Sequence, residues 1–227
     1  MRIAEIFHSI QGEGEFAGTP SVFVRTSGCN LRCWFCDTPY TSWTPEGAHQ
    51  SWRVVLQQVC RYDCEHVVLT GGEPFLPRDI VPLSRELARR RRFITIETAG
   101  TVYRQVHADL LSISPKLANS TPLESGNRWT ARHEQRRDQR AVMSRLLADY
   151  RCQLKFVVDR APDLAEIAAY VAAFPEIAKD QVWLMPQATT RETLAAQAVW
   201  LIPEAARLGY RYANRLHIEL HGNARGV

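Results

Sequence analysis

Short β-branched runs alternate with helix-period segments along most of this 227-residue chain, and few folds are open to a chain built that way. The runs at residues 21–26, 66–70, 93–97, 110–114, 153–159 and 182–185 read as strands. Between the first two, Trp52, Val55, Leu56 and Val59 recur at i, i+3, i+4 and i+7, the mark of a helix with one apolar face. Ile80, Leu83 and Leu87 mark a second helix, and Leu164, Ile167, Ala168 and Val171 a third. A capping box of Thr189 with Glu192 opens another helix that Gly209 closes, and residues 215–220 read as the last strand. Alternation of this kind implies a parallel sheet, with functional residues expected at the C-terminal ends of its strands. Periodicity alone does not separate an open sheet from a barrel.

Residues 119–149 interrupt the pattern. They read as a loop, Thr-Pro-Leu-Glu-Ser-Gly-Asn, followed by an amphipathic helix carrying Val142, Leu146 and Leu147, which either packs beside the sheet or serves as a lid. The length suits one α/β domain with a sizeable core. A formal charge of +4 is mild, and the basic run at residues 89–92 belongs at a helix C-terminus, where cations are favoured. Without interleaved aromatics that run does not make a nucleic-acid face. No apolar stretch approaches the length of a membrane span and the start, Met-Arg-Ile-Ala-Glu-Ile, is polar, so neither a span nor a signal peptide is expected. The expected compartment is the reducing cytoplasm.

Three of the cysteines, Cys29, Cys33 and Cys36, fall within eight residues, Cys-Asn-Leu-Arg-Cys-Trp-Phe-Cys. A loop with that spacing can bring thiolates to three corners of a 4Fe-4S cube, leaving the fourth iron open to a ligand that is not protein. An open metal position marks a reactive site rather than a structural one. A zinc loop or three reduced core thiols are the plainer readings, but the spacing is unusual for zinc and no Cys-x-x-Cys or His-x3-His follows. Trp34 and Phe35 either form a dry shell about the cluster or simply pack. Cys60 and Cys64, on and just beyond a helix, read with Cys152 as free thiols.

The cysteine motif resembles that of the radical S-adenosylmethionine (SAM) superfamily. The resemblance implies a partial (β/α)6 TIM-like barrel with residues 119–149 as a helical insertion, a 4Fe-4S cluster whose open iron is chelated by SAM, and a 5'-deoxyadenosyl radical that removes hydrogen from substrate. Six further segments narrow it: Ile10-Gln11-Gly12-Glu13-Gly14, Arg25 at a strand end, Asp37-Thr38, Thr70-Gly71-Gly72-Glu73-Pro74, Ser114-Pro115-Lys116 and Leu216-His217-Ile218-Glu219. In this order they resemble the 7-carboxy-7-deazaguanine synthase family. That family implies ring contraction of 6-carboxy-5,6,7,8-tetrahydropterin with loss of ammonia, on the route to queuosine and other 7-deazapurines.

Carried onto this sequence, the resemblance places the amino end of SAM on Gly72 and Glu73, with Phe35, Asp37, Ser114 and Lys116, and more loosely Gln187, contacting the rest. It places the pterin on Ile10, Gln11, Gly12, Glu13, Thr70 and His217, and a Mg2+ ion on Thr38. Arg25 suits the substrate carboxylate, which a guanidinium grips bidentately as lysine cannot. Several of these residues have plainer roles: a tight turn for the glycines, a helix cap for Thr38, an ion pair for Arg25, an interior histidine for His217. The chemistry calls for a flavodoxin- or ferredoxin-type reductant, and the family for a homodimer. The tail at residues 221–227 runs beyond the end of the short members and is expected to cover the site or a dimer surface. Two other activities remain open at this point, a glycyl-radical activase acting on a protein and a non-catalytic iron-sulfur or zinc binding module.

Overall fold

The computed structural model describes residues 1–122 and 128–227. Its elements, in chain order, are β1 (Arg2–Ile10), β2 (Pro20–Thr26), α1 (Pro39–Ser42), β3 (Ala48–His49), α2 (Trp52–Val59), β4 (His66–Gly71), α3 (Ile80–Arg89), β5 (Phe93–Thr98) and β6 (Leu110–Ile113). They continue with α4 (Arg128–Arg137), α5 (Arg140–Asp149), β7 (Cys152–Val158), α6 (Asp163–Ala172), β8 (Val182–Pro186), α7 (Arg191–Leu208), β9 (Arg211–Tyr212) and α8 (Leu216–His221). The nine strands of the described residues form one sheet in the order β3-β1-β2-β4-β5-β6-β7-β8-β9. From β2 to β9 every neighbouring pair is parallel, and the two pairs that β1 makes, with β2 and with β3, are antiparallel. The two ends of the sheet do not pair, so the expected partial barrel is found, six parallel strands from β2 through β8 with a small addition at each edge.

The apolar runs explain the arrangement. Val67, Val68 and Leu69 of β4 and Leu111 and Ile113 of β6 are fully buried, as strands covered on both faces must be. Helix α3 turns Ile80, Leu83 and Leu87 inward, the expected face, and ends on the basic run, where Arg89 and Arg90 both pair with Glu86. The alternation lapses once, because β5 reaches β6 through a loop with no helix.

Four expectations need correction. β1 was not anticipated as a strand; Ile3 is its one fully buried residue, and Arg2, Glu5 and His8 blur its alternation. Residues 215–220 are not a strand: Leu216, Ile218 and Leu220 alternate as a strand would, yet only Ile218 is buried, packed on Ala188 and Leu194 as part of α8. Thr190, not Thr189, caps α7, since its backbone is the extended residue before the first turn and its hydroxyl accepts from Thr193 N at 3.2 Å. The insertion holds two helices rather than one. Met143 and Leu146 of α5 enter the main core, while α4 buries only His133. Of the expected loop, residues 123–127 lie outside the described residues.

Candidate active site

One pocket opens at the C-terminal ends of the parallel strands, and it gathers side chains from both ends of the sequence. Cys29, Cys33 and Cys36 line it, on the loop that leaves β2. Phe35, Asp37 and Thr38 continue that wall, and Gly72, Ser114, Lys116 and Gln187 extend it past β4, β6 and β8. Ile10, Gln11, Gly12 and Glu13 close another side with Arg25, Thr70 and His217. The sequence-derived set therefore converges, with one exception.

The exception is Glu73. Its carboxylate is fully buried behind the glycine turn, where it accepts from Phe75 N at 3.0 Å, Ala99 N at 2.9 Å and Thr98 Oγ1 at 2.8 Å. Burial raises its pKa, these donors opposing the shift. Its oxygens are thus spent on holding the turn against β5 rather than pointing into the pocket. At Gly72 the backbone passes so close to the carbonyl oxygen of Gly28 that a Cβ would collide with it, which keeps the turn pressed onto the cysteine loop.

Three thiolates carried on one pocket-lining loop suit a 4Fe-4S cube, which binds each of them through a different iron. Burial pushes the Cys29 and Cys33 thiols up to about 12, so their anionic form needs a cationic partner such as iron. Leu31 N donates to Cys29 Sγ at 3.4 Å and the Ser42 hydroxyl lies 3.1 Å from Cys36 Sγ, contacts that orient sulfur without blocking it. Thr38 occupies the N-cap position of α1 without a capping bond; its hydroxyl lines the pocket, accepts from Thr41 Oγ1 at 3.4 Å and lies 3.8 Å from Cys36 Sγ.

The pocket also holds a cluster of charged side chains. Glu13 pairs with Lys155 and with Arg215 at 3.0 Å, and His217 Nε2 lies 3.9 Å from its Oε1. Burial by itself would raise the Glu13 pKa; Lys155 and Arg215 outweigh it and hold the carboxyl far below the usual range. Asp37, also paired with Arg215, is lowered for the same reason against the same penalty. Burial lowers the His217 pKa, with Glu13 opposing the shift, which favours the neutral ring. The ring of His217 presses on Gly12, where a Cβ would strike Nδ1. Gln11 and Thr70 both donate to Glu97, at 3.1 and 2.8 Å. Arg25 pairs with Glu5 at 2.6 Å and still lines the pocket, so the expected ion pair and the site position coincide. Lys116 Nζ sits 2.6 Å from Ser114 Oγ.

Sequence reasoning missed Lys155, Arg215 and Glu97. Lys155 hides in the period-2 pattern of β7, where a buried lysine is a signal only once a facing acid is known. Tail residues 223–227 also line the pocket mouth, with Arg225 stacked 3.6 Å over Tyr40 and paired with Glu46. Among the described residues no helix is long and apolar enough to cross a membrane.

Comparison with known proteins agrees with this geometry. A family profile described as the Radical SAM superfamily matches residues 23–141. The chain is similar to the 7-carboxy-7-deazaguanine synthase of Halobacterium salinarum, 46% identical over 98% of this chain and 91% of that protein. It is 50% identical to the one from Rhodopirellula baltica, over 99% of this chain and 88% of the relative. The crystal structure of QueE from Escherichia coli shares the fold, with a TM-score of 0.70 at 23% identity over 95% of this chain and 94% of that one. A cysteine-lined pocket at the strand ends, facing an acid-base wall, is thus set in a chain that belongs to the 7-carboxy-7-deazaguanine synthase family of radical SAM enzymes.

Proposed function

We propose that this chain converts 6-carboxy-5,6,7,8-tetrahydropterin to 7-carboxy-7-deazaguanine, losing ammonia, in 7-deazapurine biosynthesis of the queuosine type. The observation that carries the reading is the convergence in one pocket of the three cysteines, Arg25 and the Gln11–Glu13 edge. Nine strands in one sheet support a single domain spanning the chain.

Cys29, Cys33 and Cys36 hold the 4Fe-4S cluster. Gly72, Phe35, Asp37, Ser114, Lys116 and Gln187 form the SAM site, and Glu73 serves it indirectly by bracing the glycine turn on Thr98 and Ala99. When bound, the cluster and SAM supply a one-electron cleavage that yields a primary carbon radical able to abstract hydrogen. The chain's own part is placement. Arg25 binds the substrate carboxylate by a charge-assisted pair. Ionised Glu13, kept so by Lys155 and Arg215, accepts from the N–H edge of the pterin, while Gln11, Thr70, neutral His217 and the backbone of Ile10 and Gly12 complete the planar donor-acceptor set. The Thr38 hydroxyl offers Mg2+ one protein oxygen, substrate oxygens supplying others. Tail residues 223–227 limit water at the mouth.

A flavodoxin- or ferredoxin-type reductant, a homodimer and a cytoplasmic location belong to the same reading, the last supported by six free cysteines.

The test is turnover of anaerobically reconstituted protein with 6-carboxytetrahydropterin, SAM and dithionite. Many product molecules per SAM consumed are expected, with deuterium from substrate C6 appearing at C5' of recovered SAM. In chelator-treated enzyme Mg2+ should stimulate turnover, and Thr38→Ala should weaken that response without loss of iron. One 5'-deoxyadenosine per turnover, or an untouched pterin with a glycyl radical on a partner protein, would replace this reading with the activase.

A further inference from the structure

Alternate residues of β7 share a face, so Gln153, Lys155 and Val157 all turn to the inside of the sheet. Gln153, one step nearer the start of the strand, is spent on its neighbours: it donates to Ser112 Oγ at 2.8 Å and accepts from Glu15 N at 3.0 Å. Val157, one step nearer the end, lines the pocket. Lys155 stands between them, buried and also lining the pocket.

A buried lysine needs both its charge and its donors met. The charge is met. Burial lowers the Lys155 pKa, but Glu13 and Glu97 outweigh that and raise it, so the group stays an ammonium. The donors are met only in part. An ammonium has three N–H bonds, and among the described residues Lys155 Nζ makes one hydrogen bond, to Oε2 of Glu13. Glu97 accepts from Gln11 and Thr70 instead. Because the side chain lines the pocket, acceptors for the remaining N–H bonds come from the pocket's contents, a ligand or the water it displaces.

We propose that Lys155 is itself a substrate-binding residue, donating to the ring acceptor next to the N–H edge that Glu13 holds. This rests on the pterin reading above. A 2-amino-4-oxo pyrimidine ring sets an amino group and a ring N–H side by side, flanked by two acceptors, N1 beside the amino group and the oxygen on C4 beside the ring N–H. A carboxylate fits the two donors and an ammonium fits the acceptor next to them, so the ion pair of Glu13 and Lys155 matches three adjacent positions of the ring. Substrate oxygens are assigned to Mg2+ and Arg25, which leaves N1 to Lys155. Ring contraction rebuilds the other ring and leaves the pyrimidine unchanged. A fixed, charged pair on that half therefore keeps its grip from substrate to product, and it rejects rings whose donors and acceptors are differently placed.

The probes are pterin-6-carboxylate, the oxidised form of the substrate, and 7-carboxy-7-deazaguanine, each titrated calorimetrically into anaerobically reconstituted protein. Lys155→Met should weaken both about tenfold or more at pH 7, the worth of a hydrogen bond from a charged donor. Glu13 keeps Arg215 at 3.0 Å in this variant, with His217 beside it. A lysine that only held Glu13 ionised would therefore show its loss in acid, below about pH 6, where carboxylates begin to take protons. A second readout needs no change at residue 155. The chain has three lysines, Lys116, Lys155 and Lys179, so 15N NMR of the ammonium groups gives three signals, assigned with Lys116→Arg and Lys179→Arg. Pterin-6-carboxylate should shift the Lys155 signal and leave that of Lys179 in place, and this decides if Lys155→Met misfolds. Unchanged affinity at pH 7, a loss confined to acid, or a Lys155 signal that bound ligand does not move overturns the proposal. So does a loss seen with pterin-6-carboxylate alone, which would set Lys155 against the ring that is rebuilt. Wild type that binds neither probe sinks the pterin reading itself, and this inference with it.

Discussion

Arg215, in the turn before α8, donates its Nε to Oε1 of Glu13 at 3.0 Å, although the two residues stand 202 positions apart. The same guanidinium pairs with Asp37 on the cysteine loop. A single side chain thus joins the pterin side of the pocket to the cofactor side and ties the end of the chain to its beginning.

Removing that cation should cost the fold. In Arg215→Met both Glu13 and Asp37 lose a buried partner; such losses run about 3–5 kcal/mol, and the lower end is expected because Lys155 still holds Glu13. Arg215→Lys should recover only part, lacking the planar fork. Urea unfolding of the cluster-free protein measures both, and a loss below about 1 kcal/mol for Arg215→Met would show the pair to be dispensable.

The three thiols should account for all bound iron. Reconstituted protein should carry about four irons per chain, and Ala at Cys29, Cys33 or Cys36 should empty the site. Ala at exposed Cys60, or at buried Cys64 or Cys152, should leave the iron content unchanged. Iron lost with Cys64 would point to a second site.

Arg25→Ala should weaken pterin binding by about 1.5–3 kcal/mol, the worth of a hydrogen bond to a charged group. SAM affinity should hold, since the glycine turn is elsewhere. Glu5 is left with Tyr40, whose hydroxyl it accepts at 2.7 Å, so the variant should still fold. Calorimetric titration of each ligand separates the two effects.

The clamp between α4 and the cysteine loop should open in acid. Burial lowers His133 to about 4, with Glu134 opposing and Arg137 and Lys116 reinforcing the shift. Unfolded histidine titrates near 6.5, so the unfolded chain binds the extra proton first. This contribution is constant at neutral pH and above, shrinks as pH falls from about 6.5 towards 4, and changes no further below that. Protonated Nδ1 can no longer accept from Arg32 N. His133→Phe should flatten the fall in thermal midpoint between pH 7 and pH 5; an unchanged slope would place the acid sensitivity elsewhere.

The parallel sheet, the apolar faces of α2, α3 and α6 and the cysteine loop were legible in the chain because each rests on neighbours within one element or one loop. Period and spacing carry that information directly. Local pattern failed where burial decided instead: β1 pairs with β2 despite a polar-broken run, and α8 coils because only Ile218 has a core to enter. Within the site, the residues next to the cysteines and glycines could be named from sequence. Lys155, Arg215 and Glu97 could not, since a buried charge has meaning only through its partner, and folding alone brings Glu13 from one end of the chain to Arg215 at the other. The same holds for Glu73, whose carboxylate the tertiary structure turns away from the pocket because three donors behind the turn satisfy it there.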